Sequence, residues 1–190
     1  RNRPASAVRV NTLQTTDAAL AEALEQEGHA VQAGPWPHAL LVDFDGSPAA
    51  GEAFARGDYH VQGLPSQFAA LCLQAQPGQR VLDLCAAPGG KSLTLAQQMQ
   101  NTGELVSGEL QPARVRLIEQ AFRRCGVTCA KAIQNDAAAP DMDLGKFDRI
   151  LCDVPCSGLG ILAKKPDIRY KDLDGIENLL DIQQKILQNG

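Results

Sequence analysis

The stretch Leu82-Asp83-Leu84-Cys85-Ala86-Ala87-Pro88-Gly89-Gly90-Lys91-Ser92 runs from apolar residues into a small, glycine-rich turn and then into a helical pattern. An α/β protein builds a nucleotide-shaped pocket in this way. Small residues let a ligand approach the backbone, and the helix behind them offers free N–H groups and a positive partial charge. A regular alternation surrounds the turn. Strands are predicted over 80–84, 104–107, 130–133 and 147–152, and helices over 91–99, 112–125 and 173–187. The last helix carries Ile176, Leu179, Leu180, Gln183 and Leu187 along one stripe. Strands alternating with helices imply a parallel sheet covered on both faces, a Rossmann-like, doubly wound α/β fold.

The first third reads differently. Residues 7–13 suggest a short strand, Thr16-Asp17 caps a helix that runs to Glu27, and Gly28 stops it. Val31 and Leu40-Leu41-Val42 suggest further strands, and residues 44–59 read as loop-rich. Gly63-Leu64-Pro65-Ser66 marks a boundary, with Ser66 capping a helix over 67–75. The organisation expected is a small N-terminal α/β subdomain over 1–65 and a Rossmann-like domain over 66–190. The chain starts without Met and closes on Asn189-Gly190, a helix C-cap signal. It therefore reads as cut in mid-fold, with the 147–152 strand expected as an unpaired edge.

No apolar run approaches the ~18 residues of a membrane-spanning helix, and the polar start Arg1-Asn2-Arg3-Pro4 has no signal-peptide core behind it. Six cysteines beside apolar stretches read as reduced thiols, which favours a cytoplasmic setting. Cys125-x3-Cys129 could be half of a metal site, but no second Cys/His pair follows at zinc spacing, so no metal is expected. A net charge of −4 does not advertise nucleic-acid binding, yet its distribution is uneven. Between Asp17 and Asp58 eight acidic residues face one basic residue, whereas Lys164, Lys165, Arg169 and Lys171 face only Asp167.

In a doubly wound sheet the ligand sits at the carboxyl ends of the strands, where strand order reverses. Three successive strand ends carry acids. Glu109 is placed to accept ribose hydroxyls, Asp136 could accept from an adenine amino group, and Asp153 follows the fourth strand. Three ligands compete. Nicotinamide dinucleotides prefer GxGxxG, which is missing. A P-loop needs GxxxxGK[ST], and although residues 89–92 match its end, Cys85 occupies the required first glycine; the 147–153 segment even resembles a Walker B strand. S-adenosyl-L-methionine has a ribose and an adenine but no phosphate, so carboxylates and small residues suit it best.

A second motif, Asp153-Val154-Pro155-Cys156-Ser157-Gly158, follows the fourth strand and holds Cys156 on a loop at the pocket mouth, Pro155 fixing the turn. Together the two motifs resemble those of the RNA 5-methylcytosine methyltransferases of the RsmB/Sun/Fmu and NOP2/NSUN family, in particular its 16S ribosomal RNA branch. Arg9-Val10-Asn11-Thr12-Leu13, Val61-Gln62, the helix near Gln67 and residues 165–170 also fit, so the resemblance spans nearly the whole chain. It implies a Rossmann-like methyltransferase fold and a cofactor site of Cys85, Ala86, Ala87, Pro88, Gly89, Gly90, Lys91, Glu109, Asp136 and Asp153. It also implies a catalytic pair of Cys156 and Asp153, and ribosomal RNA held near Lys164, Lys165, Arg169 and Lys171 by a monomer. In that family the attacking thiol lies in a Thr-Cys dipeptide after the next strand. Here only Thr128-Cys129 is present, before the third strand, so the nucleophile is expected beyond Gly190 and the fragment alone is expected to be inactive. The alternatives are a P-loop-like NTPase and a non-catalytic cofactor- or RNA-binding fragment.

Overall fold

The computed structural model describes residues 5–139, 144–157 and 176–190. The first sheet takes β1 (Ser6–Val10), β2 (Ala30–Ala33), β3 (Ala39–Asp43) and β4 (Tyr59–Val61) in the order β2-β3-β1-β4. Every pairing in it is antiparallel. Helix α1 (Asp17–Gln26) starts as its sequence predicts, with Thr16 Oγ1 accepting from the Ala19 N–H at 3.3 Å. The alternating inward residues Val8, Val10, Leu40 and Val42 close on Leu20 and Leu24 of α1 and on Tyr59. The expected loop over 44–59 instead contains α2 (Glu52–Arg56) and opens β4. Both elements are only a turn or a few residues long, too short for hydrophobic periodicity to register.

Helix α3 (Leu64–Cys72) begins earlier than expected, with Gly63 as its N-cap and Pro65 in the first turn. Proline lacks the N–H that the first turn leaves unbonded anyway, so Pro65 starts this helix rather than preceding it. The second sheet comprises β5 (Arg80–Asp83), β6 (Glu104–Glu109), β7 (Ala130–Gln134) and β8 (Arg149–Leu151), all parallel, in the order β7-β6-β5-β8. From β5 the chain steps outward to β6 and β7 and then returns to the other side of β5. The order therefore reverses between β5 and β8. Among the described residues β8 has one strand neighbour, as its reading as an edge anticipates.

Alternation along β5 sets the layers. Val81 packs with Leu95, Ala96 and Met99 of α4 (Gly90–Gln98 and its C-cap) and Ala70 of α3. Helix α5 (Pro112–Arg124) covers the same face through Ile118 and Phe122, while Leu82 and Leu84 turn the other way to meet Ile186 of α6 (Ile176–Asn189). The predicted stripe on α6 is corrected here: Leu180 and Leu187 are exposed and Ile186 is buried. Leu179 and Gln183 of the predicted stripe are half-buried and, with Ile186, form the inward row. The segment opening the predicted helix at 173 lies outside the described residues.

The two sheets are joined by backbone contacts. Asn11 Nδ2 donates to Gly57 O at 2.8 Å and to Cys125 O at 2.9 Å, both buried. Gly57 has φ +83, and a Cβ there would run into the Arg124 carbonyl, so only glycine allows this approach. Arg124 stacks over Phe54 at 3.9 Å and donates through Nη1 to Phe54 O and Tyr59 O.

Candidate functional site

The turn after β5 places Gly89 in the left-handed region at φ 102, as the N-cap of α4. No side chain caps this helix, so its first N–H groups are left for whatever approaches. Two adjoining cavities open here. One, of about 460 Å³, is lined by Cys85, Ala87, Glu109, Arg114, Asp136, Asp153 and Cys156 among others. The second, of about 180 Å³, is lined by Gln62, Ser66, Asp83, Cys85, Ala86, Ala87, Pro88, Gly90, Lys91 and Asp153, with Val61 and Gly63. Cys85, Ala87 and Asp153 belong to both. The strand-end residues singled out in the sequence thus converge on one continuous hollow at the β5/β8 reversal. Gly89 is the exception. It lines neither cavity and instead sits against Ile118 and Ala121 of α5. Lys164, Lys165, Arg169 and Lys171 lie outside the described residues.

Each acid is held differently. Glu109 is 4% exposed; its Oε1 accepts from the Gln111 N–H at 3.1 Å, and Arg114 Nη1 lies 3.3 Å from its Oε2. Arg114 also donates to Ala87 O at 3.1 Å, tying the carboxylate to the turn. Asp136 Oδ1 accepts from the Ala138 N–H at 2.9 Å, so this residue shapes its turn as well as lining the hollow. Asp153 Oδ2 meets Lys91 Nζ at 2.5 Å. The loop that carries it is held from α6, where Gln183 Nε2 donates to Pro155 O at 2.6 Å.

Asp83, inside the glycine-turn motif, lines the smaller cavity. It is fully buried at the end of β5. Its Oδ2 accepts from Ser92 Oγ at 2.7 Å, Ser92 in turn accepts from Ser107 Oγ at 2.9 Å, and Oδ1 has no partner. Burial pushes its carboxyl up to about 6, a shift that the Ser92 hydrogen bond moderates. The available signal was an acid set between apolar Leu82 and Leu84. Cys85 also sits among these groups. Burial first, and then Asp83 and Glu109, push its thiol up to about 11, so it is protonated at pH 7. Cys156, by contrast, is exposed at the rim. Cys129 precedes β7, its carbonyl accepting from the Leu105 N–H at 2.8 Å. It therefore lies at the opposite end of the sheet from the hollow.

Gln62 also lines the smaller cavity. It is buried where β4 hands over to α3, with Oε1 accepting from Thr94 Oγ1 at 2.9 Å and from His60 Nε2 at 3.1 Å. Burial lowers the His60 pKa to about 4, so the ring is neutral at pH 7.

A P-loop reading fails on this geometry. Four carboxylates, Asp83, Glu109, Asp136 and Asp153, line the hollow, and its lysine is committed to Asp153. A triphosphate would be repelled where a P-loop attracts it. Among the described residues, no helix is long and apolar enough to cross a membrane.

The profile of the family described as 16S rRNA methyltransferase RsmB/F matches residues 70–190. Probable ribosomal RNA small subunit methyltransferase B of Bacillus subtilis (strain 168) is 36% identical over 188 residues, covering 97% of this chain and 42% of that protein. The human 28S rRNA (cytosine(4447)-C(5))-methyltransferase is 34% identical over 184 residues, covering 95% of the chain and 23% of the human protein. The chain thus spans less than half the length of these relatives. The solved structure of PH0851 superposes with a TM-score of 0.93 at 28% identity, covering 100% of this chain and 44% of that one. With all four strands of the parallel sheet inside the matched segment and the glycine turn and Asp153 at its β5/β8 reversal, the chain belongs to the 16S rRNA methyltransferase RsmB/F family.

Proposed function

We propose that this chain is the cofactor-binding and catalytic core of an RNA cytosine-C5 methyltransferase that uses S-adenosylmethionine. The observation that carries the reading is the single hollow joining Glu109, Asp136, Asp153 and Cys156 around the glycine turn. The donor set fits this cofactor. Glu109 and Asp136 suit ribose hydroxyls and an adenine amino group, and the unpartnered Asp83 Oδ1 suits an ammonium group. When bound, the cofactor supplies a methyl group activated by a sulfonium.

C5 of cytosine is a weak nucleophile, and thiolate addition at C6 makes it enamine-like. Asp153 at the rim faces the N3/N4 edge of the base, with Lys91 holding its carboxylate in place. After methylation a general base takes the C5 proton, the C6–S bond breaks to expel the thiolate, and Cys156 on the same loop assists this release of the methylated base. The base must leave its stack to reach the hollow. The attacking thiol is not Cys129, which lies at the far end of the sheet. Of the two thiols at the hollow, Cys85 is protonated and Cys156 is assigned to product release, so the 190-residue chain alone is expected to bind cofactor without turnover. The name of the matched family supports 16S ribosomal RNA as substrate, and that of the Bacillus relative a small-subunit ribosomal RNA. The charge of Lys164, Lys165, Arg169 and Lys171 suits its phosphate backbone. A cytoplasmic monomer is the setting this reading implies.

Equilibrium titration of the chain with S-adenosylhomocysteine and with ATP tests the reading. Binding of S-adenosylhomocysteine alone is expected, and tight ATP binding without it overturns the proposal. Incubation with 16S rRNA and transfer RNA transcripts tests the second half, since methyl transfer by residues 1–190 would refute the need for another thiol.

A further inference from the structure

The smaller cavity has two unlike walls. Asp83 and Asp153, from β5 and the loop after β8, supply acceptors, Asp153 being already paired with Lys91 at 2.5 Å; Gln62 and Ser66, from the β4–α3 connection, supply donors. The Gln62 amide has a fixed orientation. Its oxygen is occupied by Thr94 and His60, which leaves its N–H₂ group for the cavity side, where Ser66 Oγ lies 3.4 Å away. Its backbone is fixed too, because the buried Gln67 side chain donates to Gln62 O at 2.9 Å and to Val8 O at 3.2 Å. Gln62 also borders Gly90, the first residue of α4, and a Cβ on Gly90 would lie 3.8 Å from Gln62 Nε2. The uncapped N-terminus of this nine-residue helix, the Gln62 amide and the Ser66 hydroxyl thus present donors together. Asp83, whose buried Oδ1 has no partner, lines the same cavity. Donors on one side and buried carboxylate on the other match an α-amino acid zwitterion.

We infer that Gln62, assisted by Ser66, is a specificity-determining residue through which the small N-terminal subdomain holds the carboxylate of the cofactor's aminoacyl end against the α4 N-terminus. This inference rests on the S-adenosylmethionine reading above. Thr94 and His60 act through Gln62 and are positioning residues, since they hold its oxygen and so aim its N–H groups.

Calorimetric titration with two ligands tests it, S-adenosylhomocysteine and 5′-methylthioadenosine, the second of which lacks the amino and carboxylate groups. The unmodified chain is expected to prefer S-adenosylhomocysteine. Gln62→Leu is expected to weaken S-adenosylhomocysteine about ten-fold or more, as loss of a hydrogen bond to a charged group does, and to leave methylthioadenosine within about two-fold. Ser66→Ala, at a half-buried position that tolerates change, is expected to show the same selectivity to a smaller extent. Equal weakening of both ligands by Gln62→Leu and Ser66→Ala would assign these residues to the fold and overturn the inference. So would equal affinity of the unmodified chain for the two ligands, which leaves the cofactor reading standing. Failure of the unmodified chain to bind either ligand removes the cofactor reading and this inference with it.

Discussion

At the amino end of the parallel sheet, Glu104 is held by Lys131 at 2.7 Å and by Arg80, and these bonds draw its carboxyl below the usual range, Lys131 contributing most. Arg80 is itself fully used, stacked over Phe147 at 4.5 Å and donating to Lys146 O. At the carboxyl end, Asp83 is buried with an unpartnered oxygen and its carboxyl is pushed up. The same strands therefore carry satisfied charge at one end and unsatisfied charge at the other. Charge that stabilises the fold is paired on its own chain. A buried carboxylate left incomplete lowers stability and persists where a ligand completes it.

Asp83 offers the largest break in this contrast. At pH 7 its carboxylate is ionised in a site that disfavours the charge, and the gap between the ordinary 3.8 and about 6 corresponds to roughly 3 kcal/mol. Asp83→Asn is expected to raise stability at pH 7 by up to that amount in denaturant titration while weakening S-adenosylhomocysteine binding. A variant that loses both would make Asp83 a structural group like Glu104.

The pH dependence sharpens the point. Asp83 has a raised folded-state pKa, so its contribution to stability is fully present below about 3.8 and is lost as pH rises through about 6. His60 has a depressed one, so its contribution is present above about 6.5 and is lost as pH falls through about 4. The two slopes oppose each other, and the unmodified chain is expected to be nearly flat between pH 4 and 6.5 with respect to these groups. Asp83→Asn should then lose stability on acidification and His60→Leu should gain it, as thermal unfolding at several pH values reads directly.

Smaller effects follow. Glu109→Ala is expected to weaken cofactor binding by about 1–3 kcal/mol, the range for hydrogen bonds from ribose hydroxyls to a carboxylate, with calorimetry as the measurement. Glu104→Gln at the other end should leave cofactor affinity unchanged and cost no more than about 1 kcal/mol of stability, less at high salt, because its ion pairs are partly exposed.

The strand-end acids were legible because turn chemistry and strand ends are local in sequence, and the sheet then gathers Glu109, Asp136, Asp153 and Cys156 by topology alone. Gln62 was visible as a residue but not as a donor, because its orientation depends on Thr94, 32 residues away. The α6 stripe misled because several registers of a leucine-rich helix look amphipathic, and only the position of Leu82 and Leu84 beneath it selects Ile186. The short α2 and β4 carry too few residues for a period. Asp83 was read as part of a motif, and only its burial and missing partner show why an acid stands there.

The Asn11 bridge has a consequence for how the chain assembles. Its bond to Cys125 O spans 114 residues, whereas the first sheet pairs within residues 6–61. Closing so long a loop carries a high entropic cost and comes after local pairing. The small sheet can therefore form early in synthesis and waits for the end of α5 before Gly57, Asn11 and Arg124 lock together. Gln62, carried at the end of that sheet, meets Thr94 across only 32 residues, so the Gln62 side of the pocket can be set before the longer Asn11 closure locks the two sheets together.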